Sequence, residues 1–371
     1  MAFITDKFNG TDYFENIDFH NIEFYVGNAK QATEFYKTFF GFEEFAYSGP
    51  ETGSKEKVSY VIKKNKVFFV LTTPLLSSHP GTEWLKKHGD GVYNISFSVK
   101  SVKNALHGCI DRGAEIFEDY LEIHDNNGDF YKGSIKVYGD CIHTFINNEN
   151  YSIWAPNFEE MKSLNNNQDT KIEVIDHIVA NVEIDKMDFW KEYYEKIFGF
   201  STFVRFDETD ISTKYSALKS VVVRSKNWKI KLPINEPARG LKKSQIDEYL
   251  DFNEGPGIQH IALLTSDIVT TISILRSNGI KFLNLPDTYY ELLRKKDMNI
   301  DENIDKLQEL GILVDHEDGG YLLQLFTQPM QDRPTLFIEL IQRKGSRGFG
   351  QGNFQSLFES IELEQARRGN L

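Results

Sequence analysis

The stretch Gly257-Ile258-Gln259-His260-Ile261-Ala262-Leu263 decides how this chain is read. It is an apolar, strand-like run with an imidazole in its middle. A helical pattern over Ile268 to Ser277 follows, and Gly279 closes it. A run that changes from strand to helix spacing and then stops at glycine marks a βα unit. Searching outward for the same form finds it three more times. One copy starts at Phe19-His20-Asn21-Ile22-Glu23-Phe24-Tyr25-Val26, continues as a helix around Ala32 to Phe39 and reaches Gly41. Another starts at Val92-Tyr93-Asn94-Ile95-Ser96-Phe97-Ser98-Val99, with a helix around Val102 to Asp111 and then Gly113. The third starts at Val174-Ile175-Asp176-His177-Ile178-Val179, with a helix around Met187 to Ile197 and then Gly199.

From His20, Asn94, His177 and His260 to the closing glycine the distances are 21, 19, 22 and 19 residues. Long and short alternate, so the true repeat is a pair of units. Further strand-like runs follow each glycine: Val58–Ile62 and Val67–Leu71 in the first unit, Ser220–Arg224 and Trp228–Leu232 in the third, Tyr321–Phe326 and Thr335–Ile341 in the fourth. Each unit therefore reads as β-α-β-β-β. The fold class is α+β: two domains, each of paired βαβββ modules forming an open barrel. The polar segment Ser163 to Asp169, within Asn157 to Thr170, reads as the linker. The N-terminal domain is expected over 15–155, the C-terminal domain over 172–345, and a hinge and lid helix over 346–371. An insertion from Asp287 to Leu310 reads as two short helices, and Phe354 to Arg368 as a terminal helix.

The 371 residues carry a formal net charge of −13, with 40% hydrophobic and 13% aromatic content. This is a well-packed globular composition with no basic patch for nucleic acid or an anionic membrane. Lys63-Lys64-Asn65-Lys66 and Lys242-Lys243 are short and read as solvated faces. No run of about 18 apolar residues occurs, and Met1 to Lys7 shows no apolar leader, so a cytoplasmic protein is expected. Cys109 and Cys141 fit no disulfide framework and no zinc motif; Cys109 reads as a small core residue.

The chemistry lies in the second half. His177, His260 and Glu339 each stand inside an apolar strand, Glu339 within Leu336-Phe337-Ile338-Glu339-Leu340-Ile341. A carboxylate buried there is costly unless something neutralises it. His177 and His260 hold the same place in sister units, where the first half has His20 and Asn94. The segment Cys141 to Asn147, parallel to the Glu339 run, has no carboxylate. One half thus offers a full ligand set and the other does not. Two imidazoles and a carboxylate on one face leave open positions and suit Fe(II); zinc also takes such sets. Gly348-Phe349-Gly350-Gln351-Gly352-Asn353 mimics a dinucleotide loop. Asn353 replaces its third glycine and no strand with an acid follows, so it reads as a hinge.

These residues resemble the 4-hydroxyphenylpyruvate dioxygenase family of the vicinal-oxygen-chelate superfamily, its eukaryotic branch above all. The likeness covers nearly the whole chain. It is sharpest in Gly257 to Ala262, Lys231-Leu232-Pro233-Ile234-Asn235-Glu236-Pro237, Gln331 to Glu339, Gly348 to Phe358 and Gln365 to Leu371. It implies Fe(II), one per subunit, on His177, His260 and Glu339. It implies a substrate shell of Ser220, Asn235, Gln245, Gln324, Phe349, Asn353 and Phe354, with catalytic roles for Gln245, Gln259 and Phe326. It further implies a homodimer and the conversion of 4-hydroxyphenylpyruvate and O2 to homogentisate and CO2. Three readings stay open beside it: benzylic hydroxylation of the same substrate, a metal-dependent isomerase, and a binding protein on this scaffold. Individual residues have plainer roles available. Asn235 can hold a turn after Pro233, Gln245 can open a helix capped by Ser244 and Asp247, and Phe349 and Phe354 can pack the last helix.

Overall fold

Four copies of one module build two curled sheets. In the second half the order across the sheet is Ser201–Phe206, Ala217–Arg224, Lys231–Ala238, Ile172–Asn181, Gly257–Thr265, Phe337–Lys344, Gly320–Phe326 and Leu313–Glu317. The two central strands, which carry His177 and His260, pair antiparallel. Each is flanked by the last strand of its own module, in parallel. A parallel neighbour needs a crossover, and the helices Met187–Phe198 and Ile268–Ser277 begin those crossovers. The first half repeats the plan in nine strands, with Asp18–Tyr25 and Gly91–Ser98 at the centre. Each sheet curls into a half-barrel. This computed structural model describes residues 13–162, 168–207, 217–238, 240, 242–295, 299–317 and 319–369.

The pairing of units shows in the helix ends. The helices Ala29–Phe40 and Met187–Phe198 both stop on a left-handed glycine, Gly41 and Gly199 with φ of 72° and 68°. The shorter helices Val102–Asp111 and Ile268–Ser277 run on through a right-handed cap to Gly113 and Gly279. The insertion forms two helices, Asp287–Lys295 and Ile304–Leu310, and the terminal helix is Phe354–Arg367. Cys109 is buried on its helix, and both cysteines are free.

The structure corrects three expectations. Trp228 is not in a strand: it sits at φ 64° in a turn over Ser225 to Ile230, with the Arg224 guanidinium 3.8 Å above its ring. The strand starts later, at Lys231, and runs through Pro233 and Pro237 to Ala238. Proline is tolerated because the parallel pairing on that side spans only Ile234 and Asn235. Secondly, the expected linker is partly built in. Glu159–Glu160 pairs with Ala46 and Tyr47, and the Thr170 hydroxyl donates to the Phe40 carbonyl; Ser163 to Asn167 lie outside the described residues. Thirdly, the residue that corresponds to His177 is Asn21, not His20. Val26 and Val182 donate to equivalent strands, Thr72 O and Asn235 O, and counting back from each reaches Asn21 and His177. A bulge lies just before both, so that His20 matches Asp176. A one-residue slip turns a strand's side chains to the other face.

The two halves share one core. Phe198 packs within 6.1 Å of the rings of Phe97, His143 and Phe145, and His143 Nε2 lies 2.7 Å from the Tyr194 hydroxyl. Burial drives the His143 imidazole down to about 3. The unfolded chain takes up that proton near its ordinary value, about 6.5, whereas the folded chain does so only near 3. Stability is therefore intact at neutral pH and falls progressively from pH 6.5 to 3, by on the order of 5 kcal/mol. Denaturation midpoints of His143→Gln are expected to fall less steeply than those of the wild type between pH 7 and 4; parallel slopes would contradict this.

Candidate active site

Sheet register brings the three candidate ligands together. His177 pairs with Ala262, and Ala262 with Glu339, so these three form one row across three strands. His260 lies two residues from Ala262 and so on the same face. It pairs with Val179 on one side and Phe337 on the other. Ala262 is fully buried between the two longer side chains, and its single methyl lets them reach across and meet. Glu339 Oε2 lies 3.1 Å from His177 Nε2 and 3.3 Å from His260 Nε2. One donor atom from each residue lies within 4.8 Å of the others. Donors about 2.1 Å from a common ion and set near right angles would be about 3.0 Å apart, so both Glu339–imidazole spacings suit a shared divalent ion.

The electrostatics fit as well. Glu339 is 2% exposed. Burial pushes its carboxyl up, but the two imidazoles outweigh that and hold it at about 2, ionised. Burial lowers His260, whereas the adjacent Glu339 overcomes burial and raises His177. Each ring is aimed from behind. His177 Nδ1 is 2.8 Å from Asp176 Oδ1, and His260 Nδ1 is 3.0 Å from Gln259 Oε1. A proton kept on each Nδ1 leaves each Nε2 lone pair facing Glu339. Asp176 is itself held ionised by Arg343 and Lys231 against the cost of burial.

Around the ligands lies a cavity that opens to solvent, walled mainly by aromatic and aliphatic side chains with a few polar groups, as small-molecule sites are. Its polar lining comprises Ser220, Asn235, Gln245, Gln259 and Gln324, besides the three ligands. Phe326, Phe349 and Phe354 line it too. The ring of Phe349 is 5.0 Å from that of His177, and that of Phe326 is 6.1 Å from that of His260. Gln245 also opens its helix, Gln245–Asn253, behind a Ser244–Asp247 capping box. Asn235 stands in a strand rather than a turn, its amide 3.3 Å from Asn181 Oδ1. Gly350 has φ 75°, which favours glycine, and a Cβ there would displace the Gln324 carboxamide from the cavity wall.

Asn353 is the exception: it does not line the cavity. It is 1% exposed, and its side-chain oxygen accepts from the Tyr289 hydroxyl at 3.0 Å, which fastens the start of the terminal helix. The sequence reading missed several apolar walls. Leu218 and Val222 flank Ser220 at strand spacing, and Phe358 and Ile361 follow Phe354 at helical spacing; both series line the cavity and could have been read by period. Phe337, two residues before Glu339, stacks on the His260 ring at 4.7 Å.

The first half has the same rows without the ligands. Asn21, Ser96 and Thr144 replace His177, Ala262 and Glu339, and Asn94 replaces His260. Of the acids near these rows, Glu23 matches Val179 instead and accepts from the Thr72 hydroxyl at 2.9 Å and the Asn94 amide at 3.3 Å, while Glu118 reaches the Ser134 hydroxyl beside Thr144, at 3.4 Å.

Comparison with known proteins agrees with this geometry. Residues 174–297 match the model of the Glyoxalase/Bleomycin resistance protein/Dioxygenase superfamily. A 4-hydroxyphenylpyruvate dioxygenase of Danio rerio is 44% identical over 385 aligned positions, covering 100% of this chain and 96% of the relative. The enzyme of that name from Yarrowia lipolytica is 43% identical and covers 98% of this chain. The chain belongs to the 4-hydroxyphenylpyruvate dioxygenase family. Among solved structures, a mutant 4-hydroxymandelate synthase from Streptomyces coelicolor superposes with a TM-score of 0.85 at 29% identity, covering 94% of this chain and 98% of that one. Members of the family are metal-dependent dioxygenases, which agrees with the clustered ligands.

The row geometry yields a test away from the ligands. Ala262→Leu would fill the gap over which His177 and Glu339 meet. Titration with Fe(II) or Co(II) is expected to show affinity lowered at least about 100-fold, with a stability loss of about 1–3 kcal/mol from overpacking. Unchanged metal affinity would refute this account of the row.

Proposed function

We propose that His177, His260 and Glu339 hold one Fe(II) per subunit, and that the surrounding cavity converts 4-hydroxyphenylpyruvate and O2 to homogentisate and CO2. The observation that carries the site assignment is the lining itself. The ligands converge in an apolar cavity whose described walls include no lysine and no arginine. A 2-oxo acid in such a cavity finds no cation among the wall side chains, so its charge calls for a metal. When bound, ferrous iron supplies adjacent open positions, Lewis acidity toward the keto acid and redox chemistry with O2.

The remaining work belongs to the chain. Phe349 and Phe354, from the hinge and lid, enclose an aromatic ring, and Phe326 walls the side where it reacts. Ser220, Asn235, Gln245 and Gln324 offer neutral hydrogen-bonding groups to the ring hydroxyl and side chain without introducing charge. Gln259 acts through His260, whose Nδ1 it engages. The helix Phe354–Arg367 closes the cavity with Phe358 and Ile361 and keeps water out. In this reading residues 172–345 are the catalytic domain, 346–371 the hinge and lid, and 15–155 the metal-free domain. A cytoplasmic homodimer belongs to the same reading. Ile116, Phe117 and Leu121 stand exposed on an outermost strand of the first sheet and support assembly there.

The likeness to 4-hydroxymandelate synthase makes benzylic hydroxylation the second reading, since that scaffold superposes over nearly the whole chain. The curated relatives, at 43–44% identity, favour the dioxygenase. Oxygen uptake with Fe(II) and 4-hydroxyphenylpyruvate, followed by product analysis, decides: homogentisate is expected, and 4-hydroxymandelate would select the alternative. Glu339→Gln is expected to weaken Fe(II) binding and lower turnover by at least about 100-fold; an unchanged iron titration would remove Glu339 from the ligand set. Deleting Ser356 to Leu371 is expected to leave metal binding intact while abolishing homogentisate formation. Full turnover by the truncated enzyme would disprove the lid.

A further inference from the structure

Behind His177 lies a closed ring of contacts that the reaction as described does not use. Asp176 Oδ1 receives His177 Nδ1 and Arg343 Nη2, each at 2.8 Å, and its Oδ2 receives Arg343 Nε at 2.8 Å and Lys231 Nζ at 3.1 Å. The third arm of the guanidinium, Nη1, donates to the Gly348 carbonyl at 2.7 Å and reaches the Ser346 carbonyl at 3.5 Å. Its plane approaches the Phe349 ring, 5.6 Å from the centroid, and that ring is 5.0 Å from His177. The path thus leaves His177, passes through Asp176 and Arg343 to the hinge, and returns through Phe349.

We propose that Arg343 is a positioning residue that couples metal binding at His177 to order in the hinge at Ser346 to Phe349. Its special property is shape. Lys231 already gives Asp176 a positive charge, but an ammonium cannot bind a carboxylate with two parallel donors and a backbone carbonyl with a third. When an ion fixes Nε2 of His177, the Nδ1 proton is held on Asp176, which holds the fork, which holds Gly348. By linkage, an ordered hinge tightens the ion in turn. A substrate that seats Phe349 would therefore retain the metal more firmly. The inference rests on the reading of His177 as a metal ligand.

The hinge carries its own reporter, because trypsin can cut after Arg347. In the wild-type protein, saturating Co(II) is expected to slow that cleavage at least about fivefold. Arg343→Lys keeps the charge and loses the fork. In this variant the metal effect on cleavage is expected to vanish, and Co(II) affinity, read from its visible spectrum, to fall about 10-fold. Low millimolar guanidinium should restore both properties to Arg343→Ala, whereas ethylammonium should not. Equal metal protection in wild type and Arg343→Lys would overturn the proposal. So would a wild-type hinge whose cleavage ignores bound Co(II), a result that needs no variant to fold. Absence of Co(II) binding in the wild type would instead sink the metal reading itself, and this inference with it.

Discussion

An ionised carboxylate in the middle of a dry sheet is the constraint around which the second half is arranged. Glu339 is closed off from water, and an isolated charge there would be ruinous. Two imidazoles meet it, a buried Asp176 with its own cations steadies one of them, and a carboxamide steadies the other. The aromatic walls follow from the same constraint. They keep the dielectric low, which strengthens every one of these contacts and makes the unsatisfied alternative worse.

The first half shows what the architecture requires when that charge is absent. Its corresponding rows hold Asn21, Asn94, Ser96 and Thr144, all neutral. The module, its bulges and its alternating helix ends are kept. The βαβββ plan therefore depends on apolar pattern, glycine stops and crossovers, and His177, His260 and Glu339 are side chains mounted on it. This is why fold and site can be argued separately.

Much of this was legible along the chain. The four modules follow from strand and helix periods closed by Gly41, Gly113, Gly199 and Gly279, and the ligands from polar groups set in apolar strands. What stayed hidden involved backbone irregularity or distance. The bulge beside His20 has no marker in composition, so the sequence offers an imidazole for the place that Asn21 holds. Asn235 can be read as holding a turn after Pro233, because the shortness of the parallel pairing that admits proline to this strand cannot be seen in advance. The bond from Arg343 to Asp176 joins residues 167 apart, and no local spacing announces it. Asn353 shares the hinge motif with Phe349 and Phe354, yet its side-chain oxygen is bonded to Tyr289, a partner 64 residues away that the motif does not show.

The neutral rows of the first sheet have a consequence for the chain as a whole. A half-barrel lined by amides and hydroxyls, with Glu23 only half-buried and bonded to Thr72 and Asn94, has no anionic vacancy waiting to be filled. Its packing needs no ion, and Tyr194 and Phe198 of the second half rest against it. The proposed metal would therefore concern the second half alone, mounted beside a first half whose rows need no ion to balance them.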